Sequence, residues 1–333
     1  MLEIGKLPPQ MLERLIINPI NASKIKRPEV IIRPKTGEDC AALYMKDEYC
    51  VASTDPITGA QKEIGYLAVH INCNDIAASG AMPIGIMLTL LLPKESTEEV
   101  IQEIMAGVQE ATNELGVEIL GGHTEITDAV NKPILSATAI GKTCKRNFIS
   151  TGGAQVGQDV IMTKWAGSEG TAIISRDYER ELKGRIPEEM LCKAQDMKGF
   201  LSVLPEARLA VEHGATALHD ATEGGILGAV WEVADCSGTG IEIFLDKIPI
   251  KDETKMICKE AGISPYSLIS SGTLVISTFY GEDLVRKLKA EGIEAAIIGR
   301  ITSDGKYYLE NGKKQVLAQP MSDAIYQVDF KKE

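Results

Sequence analysis

Asp75 is the residue of this chain that is hardest to place. It stands in a helix-like segment, Glu63 to Ala81, on the same stripe as Ile64, Leu67, Ala68, Ile71 and Ala78. Such a stripe is what a helix turns toward a core. A carboxylate there is costly unless it is paired or holds a cation. Any fold must therefore bring this helix against groups that answer a charge. Two other stretches set carboxylates among small residues: Gly37-Glu38-Asp39-Cys40-Ala41-Ala42, followed by Ser53-Thr54-Asp55, and the distant His219-Asp220-Ala221-Thr222-Glu223-Gly224-Gly225-Ile226. Oxygen ligands gathered with glycines that admit close backbone approach fit a Mg²⁺–nucleotide site. Gly37-Glu38-Asp39 and Ser53-Thr54-Asp55-Pro56 also read as ordinary turns. A hairpin that brings two such strand ends together favours the site.

The chain has 333 residues, enough for two domains with proper cores. In the first half, an amphipathic helix is expected over Pro8–Ile17, starting at the Pro-Pro, and a strand over Glu29–Arg33. A hairpin, Ala41–Met45 with Tyr49–Ser53, is expected to turn at Lys46-Asp47-Glu48. The helix from Glu63 follows. Ile84–Leu92 is a continuous apolar run ended by Pro93, which reads as a strand buried on both faces. A helix from Ser96 closes at Gly116, and Val117–Leu120 and Pro133–Lys142 are strands. The order β-β-α-β-α-β-β describes an α+β half with helices on one sheet face.

Gly152-Gly153-Ala154-Gln155-Val156-Gly157 is the linker candidate, which gives domains 1–150 and 151–333. The second half reads as mixed α/β. Strands are expected at Asp159–Thr163, Thr216–Leu218, Ile241–Leu245, Thr273–Thr278 and Ala295–Ile301. Helices are expected after Gly170, around Glu188–Phe200 and Glu206–Glu212, up to Cys236, and over Gly281–Glu291.

A formal net charge of -12 argues against nucleic-acid binding. No apolar run is long enough to span a membrane, and Met1–Lys6 carries no signal pattern, so a cytoplasmic protein is expected. The seven cysteines, at 40, 50, 73, 144, 192, 236 and 258, form no Cys-x-x-Cys pair. They read as small buried hydrophobes in a reducing compartment.

Further polar clusters sit at strand ends. Gly121-Gly122-His123-Thr124-Glu125 follows an apolar strand, and reads either as a solvated glycine turn or as a reactive cluster. Asp220-Ala221-Thr222-Glu223-Gly224-Gly225 ends a strand and opens a helix, where N–H groups can meet a phosphate. It has neither the P-loop nor the dinucleotide-binding glycine pattern. Lys164, in the glycine-rich turn up to Gly170, reads as a solvated lysine before a phosphate contact, and Lys62 is the better phosphate candidate.

The order of these motifs says more than any one of them. Gly-Glu-Asp-Cys-Ala-Ala, Ser-Thr-Asp, Asn74-Asp75-Ile-Ala-Ala-Ser-Gly-Ala-Met-Pro, Gly-Gly-His-Thr-Glu and Asp-Ala-Thr-Glu-Gly-Gly-Ile occur in sequence, with Ser271-Gly272-Thr273 and Ile298-Gly299-Arg300 after them. Together they resemble the AIR synthase superfamily, nearest its HypE branch. The resemblance implies a two-domain protein, a homodimer paired through its N-terminal sheets, that binds ATP and Mg²⁺. It implies Asp39, Asp55, Asp75 and Glu223 as metal contacts. Thr54, Lys62, Gly121, Gly122, Asp220, Thr222 and Gly224 would meet the nucleotide, and His123 and Glu125 are the catalytic candidates. His123 stands where several relatives place an acid.

The implied function is ATP- and Mg²⁺-dependent phosphoryl transfer to, or activation of, an unidentified small molecule. The alternatives are a thiamine-monophosphate-type kinase, and a nucleotide-binding partner of a maturation protein without turnover. HypE carries a reactive terminal cysteine. No cysteine follows Cys258 here, so chemistry on such a tail is not expected.

Overall fold

The structure, a computed structural model, describes residues 7–58, 63–319 and 322–330. The chain divides into two compact units. One comprises Arg27–Ile32 and Asp39–Phe148; the other comprises the stretch up to Lys26, Arg33–Glu38, and everything from Ile149 onward.

The N-terminal unit is built on a six-stranded sheet of β1 (Val30–Ile32), β2 (Ala41–Met45), β3 (Glu48–Ile57), β4 (Met82–Leu92), β5 (Glu118–Ile126) and β6 (Ile134–Cys144). Its spatial order is β1-β2-β3-β6-β4-β5. All neighbours are antiparallel except β4 and β5. Lys46, at φ 65, takes a left-handed conformation in the β2–β3 hairpin. Glu48 is already in the ladder opposite Met45, so the turn is shorter than expected. β3 continues past Ser53 through Pro56 to Ile57, paired with β6 along its whole length.

The helix Ile64–Ala78 lies against one face of the sheet, with Ile76 packed among Ala42, Val51 and Ala139. All of its residues are buried. It is thus a helix enclosed on every side rather than one with a single apolar stripe. The helix Glu98–Leu115 crosses it so closely that a Cβ on Gly65 would stand 2.0 Å from the Ile104 carbonyl oxygen. This second helix starts from Thr97 rather than Ser96 and ends at left-handed Gly116.

β4 departs from the expected doubly buried strand. Ile86, Leu88, Leu90 and Leu92 are buried on the helix side, while Met82, Ile84 and Met87 on the other face are 68%, 44% and 46% exposed. The helix Ile64–Ala78 covers the first of these faces, with Glu98–Leu115 packed on that helix, and the face that carries Met82, Ile84 and Met87 is exposed. β5 also differs. It runs to Ile126, so the Gly-Gly-His-Thr-Glu segment is strand rather than a turn that follows one. The irregularity that permits this falls between Ile119 and Gly121, where Leu120 is the extra residue. Gly122 then takes φ 154, and a Cβ there would stand 1.9 Å from the Leu88 carbonyl oxygen. Only glycine lets β5 lie along β4 at this point.

The C-terminal unit carries a seven-stranded sheet of β7 (Asp159–Thr163), β8 (Ala217–Asp220), β9 (Gly240–Phe244), β10 (Leu274–Thr278), β11 (Ala295–Thr302), β12 (Lys306–Glu310) and β13 (Lys313–Val316). The order is β13-β12-β9-β11-β7-β10-β8, with only β12 and β9 parallel. Its core gathers Val160, Met162, Ile226, Val230, Trp231, Ile241 and Ile298. The β12–β13 hairpin and the helix Asp252–Ala261 are additions to the sequence expectation. Both segments are rich in lysine and glutamate, which hides their apolar periodicity.

The opening helix belongs to this unit and runs further than Ile17. It passes from Pro9–Leu12 through a π-helical turn, Glu13–Ile17, into Asn18–Asn21. Pro19 supplies no N–H and crowds the preceding turn, and a widened turn accommodates it. Of the seven cysteines, Cys40, Cys73, Cys236 and Cys258 are buried, Cys50 and Cys144 are half-buried and Cys192 is exposed; all are free thiols. Among the described residues no helix is long and apolar enough to cross a membrane.

Candidate functional site

In the N-terminal unit Ser53 and Asn72 tie together the elements that carry Asp39, Asp55 and Asp75. Alternation along β3 sends Val51, Ser53, Asp55 and Ile57 toward the helix side. Ser53 Oγ lies 2.5 Å from Asp75 Oδ2 and 3.1 Å from the Asp39 carbonyl oxygen. The short contact is a hydroxyl donating to a carboxylate, and it answers the question Asp75 posed in the sequence. Cys40 Sγ donates to the Asp75 carbonyl at 3.2 Å. One helical turn earlier, Asn72 grips the backbone of Asp55. Its Oδ1 accepts the Asp55 N–H at 2.8 Å, and its Nδ2 donates to the carbonyls of Asp55 at 3.3 Å and Ala68 at 2.9 Å. The helix therefore fixes β3 at two successive same-face positions. Asp39, Asp55 and Asp75 are carried by elements tied together at that point.

The remaining N-terminal candidates face the other way. Thr54 alternates to the open face, where its Oγ1 accepts from Thr138 Oγ1 at 2.9 Å and donates to the Ala137 carbonyl at 2.9 Å. Register continues this face across the sheet. Thr54 pairs with Thr138, which pairs with Met87, which pairs with Gly121. Beside it runs the row Pro56, Ser136, Thr89 and His123. His123 and Glu125, two residues apart, share that face, with Nε2 and Oε2 3.4 Å apart and both side chains exposed. Gly121 belongs to that face as well, and Gly122 alternates to the other. So the structure sets Thr54, His123 and Glu125 on one side of the sheet and the Ser53–Asp75 hub on the other. Lys62 lies outside the described residues.

In the C-terminal unit, Asp220 is the last residue of β8 and the loop to Gly224 leads into the helix Gly225–Ser237. Gly224 and Gly225 have φ 86 and 62, and a Cβ on Gly225 would stand 2.6 Å from the Tyr266 carbonyl oxygen. The glycine pair is therefore imposed by the neighbouring loop as well as by the turn. The Gly224 N–H donates to Asp323 Oδ2 at 2.7 Å. Glu223 Oε1 accepts from the Tyr326 hydroxyl at 3.0 Å. His219 is buried in β8, with its Nε2 2.9 Å from Glu232 Oε2. Lys164 is buried instead of solvated. Its Nζ meets Glu206 Oε1 at 2.5 Å and donates to the carbonyls of Phe200 and Gly272 at 3.0 Å and to that of Ser202. Glu38, at the other end of the first acidic motif, accepts from the Thr151 N–H at 3.3 Å, a contact between segments far apart in sequence.

Two carboxylates matter here that the motifs did not single out for a role. Asp323 is 1% exposed and accepts from the N–H groups of Gly224, Ile269 and Ile325. Burial pushes its pKa up to about 6 against those three donors. Glu169, buried in the first turn of helix Ser168–Asp177, accepts the Ser271 N–H at 3.3 Å. Burial, aided by the nearby Asp323 and Glu223 charges, raises it to about 7. The one sequence signal for Asp323 is local: an aspartate two residues before the N–H it accepts is a helix-start pattern.

Two family descriptions match the chain: AIR synthase related protein, N-terminal domain, over residues 37–143, and its C-terminal domain over residues 155–311. A putative hydrogenase expression/formation protein of Methanocaldococcus jannaschii is 28% identical, over 97% of each chain. Among solved structures, HypE in a HypE–HypF complex superposes with a TM-score of 0.75 at 21% identity, covering 92% of this chain and 100% of the other. AaThiL complexed with AMPPCP and TMP gives 0.74 at 20% identity, covering 96% and 98%. HypE in complex with ATP gives 0.70 at 19% identity, covering 95% of each.

Proposed function

We propose that this chain, which belongs to the AIR synthase related family, binds ATP with Mg²⁺ and uses it to phosphorylate or activate a small molecule. The observation that carries the reading is the hub at Ser53, where the elements bearing Asp39, Asp55 and Asp75 are tied together. Carboxylate oxygens are the donor class that Mg²⁺ takes. The bound cation would neutralise phosphate charge during transfer. This chain's own contribution is to hold those oxygens still: Ser53 orients the Asp75 carboxylate and Asn72 fixes the Asp55 backbone. In the C-terminal unit Asp220 and Thr222 are proposed as nucleotide contacts and Glu223 as a metal contact; His123 and Glu125, on the sheet face opposite the hub, are proposed as acid–base candidates for a substrate met from that face.

The open face of the N-terminal sheet, with Met82, Ile84 and Met87 exposed, supports a homodimer paired through that face. Light scattering at micromolar concentration checks it, and a monomer counts against it.

Calorimetric titration of Mg–ATP tests the main reading. The wild-type chain should bind, and Asp55→Ala, an exposed position, should abolish binding without altering the far-ultraviolet circular dichroism. Equal binding by the two proteins removes the hub from the site. ADP release across a panel of small-molecule acceptors then separates an enzyme from a nucleotide-binding maturation partner. Thiamine monophosphate belongs in that panel because the superposable AaThiL structure holds TMP.

A further inference from the structure

The amino end of a helix presents N–H groups and a positive dipole end, and it attracts an anion. At helix Gly225–Ser237 one of those N–H groups, that of the N-cap Gly224, is taken by a carboxylate of the chain itself. Gly224 is the N-cap and offers no side chain; its N–H is accepted by Asp323 Oδ2 at 2.7 Å. The other oxygen, Oδ1, accepts from Ile269 at 3.2 Å and from Ile325 at 2.8 Å. One carboxylate thus ties together the loop after β8, the loop before β10 and its own turn. Beside it, Tyr326 holds Glu223.

We propose that Asp323 is a positioning residue: it fills the anion seat of helix Gly225–Ser237 with the chain's own carboxylate and so fixes the acidic loop Asp220–Gly224, leaving no place there for a ligand phosphate. This rests on the reading that the loop meets the nucleotide, and it sharpens that reading. Asp220 and Thr222 then make the contact, while the Gly224 N–H does not. The geometry also accounts for a motif that has the glycines of an anion-binding loop without a cation such as the P-loop lysine.

The test uses the isotopically labelled full chain with inorganic phosphate as the probe. In the wild type the Gly224 and Ile269 amides should be protected from exchange, and phosphate should leave the Gly224 resonance unmoved. Asp323→Ala should lose protection at both amides by about tenfold or more, the worth of one backbone hydrogen bond to a charged acceptor. It should also gain a saturable phosphate shift at Gly224, which mere loosening of the fold would not produce. Asp323→Asn keeps the shape and one acceptor oxygen, and serves if the alanine variant does not fold. It should lose protection at Gly224 or at Ile269, but not at both.

A wild-type Gly224 resonance that moves with phosphate, or variants that keep both amides fully protected, overturns the proposal. Mg–ATP titration of the same samples separates the two ideas. A wild type that fails to bind nucleotide sinks the functional reading, and the amide results still decide the role of Asp323.

Discussion

In the N-terminal unit the buried carboxylate, Asp75, is met by a hydroxyl from a neighbouring strand. In the C-terminal unit Asp323 and Glu169 are met by backbone N–H groups of loops. The first arrangement ties a helix to a strand, so the partners lie on regular elements whose faces follow from period. The second ties loop to loop, and there the backbone does the work that side chains do in the other unit. The same habit appears at Lys164, whose ammonium is surrounded by main-chain carbonyls and one glutamate. These four charges of the C-terminal unit, Lys164, Glu169, Glu206 and Asp323, lie in the low-dielectric interior. There they are strong when paired and costly when one partner is lost.

The largest expected effect comes from breaking such a pair. Lys164→Met leaves Glu206, 1% exposed, without its cation, and should lower the unfolding free energy by about 3–5 kcal/mol. Adding Glu206→Leu should recover only part of that loss, because it removes the unpaired buried charge but leaves the Phe200, Ser202 and Gly272 carbonyls without their donor. Urea denaturation of the two variants measures both. A Lys164→Met loss no larger than that of a surface lysine would end the contrast between the units.

Next is pH. Burial raises Glu169 to about 7 and Asp323 to about 6, above the ordinary carboxylate values of 4.5 and 3.8. The folded chain therefore binds protons that the unfolded chain has released, from about pH 4 up to about pH 7. Stability from these groups is greatest at the acid side of that window and falls as pH rises through it, by an amount on the order of 3 kcal/mol for Glu169. Glu169→Gln should flatten the decline in thermal midpoint between pH 4.5 and 7. An unchanged slope would show that Glu169 is not the titrating group.

Gly122→Ala carries the comparison back to the N-terminal unit. With φ at 154 and a Cβ 1.9 Å from the Leu88 carbonyl, alanine forces β5 away from β4. The cost is about 3 kcal/mol, the upper range for strain and overpacking. Gly121→Ala, with nothing within 4 Å of its Cβ, should cost less. Matched thermal melts of the two variants separate contact from conformation.

What could be read from the sequence follows the same division. The two-domain organisation, the β2–β3 hairpin, the helix carrying Asp75 and most C-terminal elements were legible because period and caps mark regular structure. Asp75's need for a partner was legible too, though not that the partner would be Ser53. The side of the sheet was less so. Ser53, Thr54 and Asp55 are consecutive, and a strand must send them to alternate faces; a motif read as a single cluster conceals that. The extension of β5 through His123 was hidden by two glycines that elsewhere signal a turn. Asp323 was not legible as part of any site, because its partners are backbone N–H groups in loops distant in sequence, and a backbone donor leaves no residue type to recognise.

The smallest effect is also the sharpest test of that alternation. Ser53 and Thr54 are neighbours with similar hydroxyls, but one meets Asp75 on the helix side and the other meets Thr138 and the Ala137 carbonyl on the open face. Ser53→Ala removes a donor from a buried carboxylate and should cost about 1.5 kcal/mol, the low end for a hydrogen bond to a charged group. Thr54→Ala removes solvent-side contacts and should cost about 0.5 kcal/mol or less. The functional hypothesis adds a second readout: Mg–ATP affinity should fall in the Ser53 variant, because the Asp75 carboxylate loses the group that orients it. If Thr54→Ala is the more damaging of the two in both stability and Mg–ATP binding, the nucleotide is met from the open face, and the proposed site moves to the side of the sheet that holds His123 and Glu125.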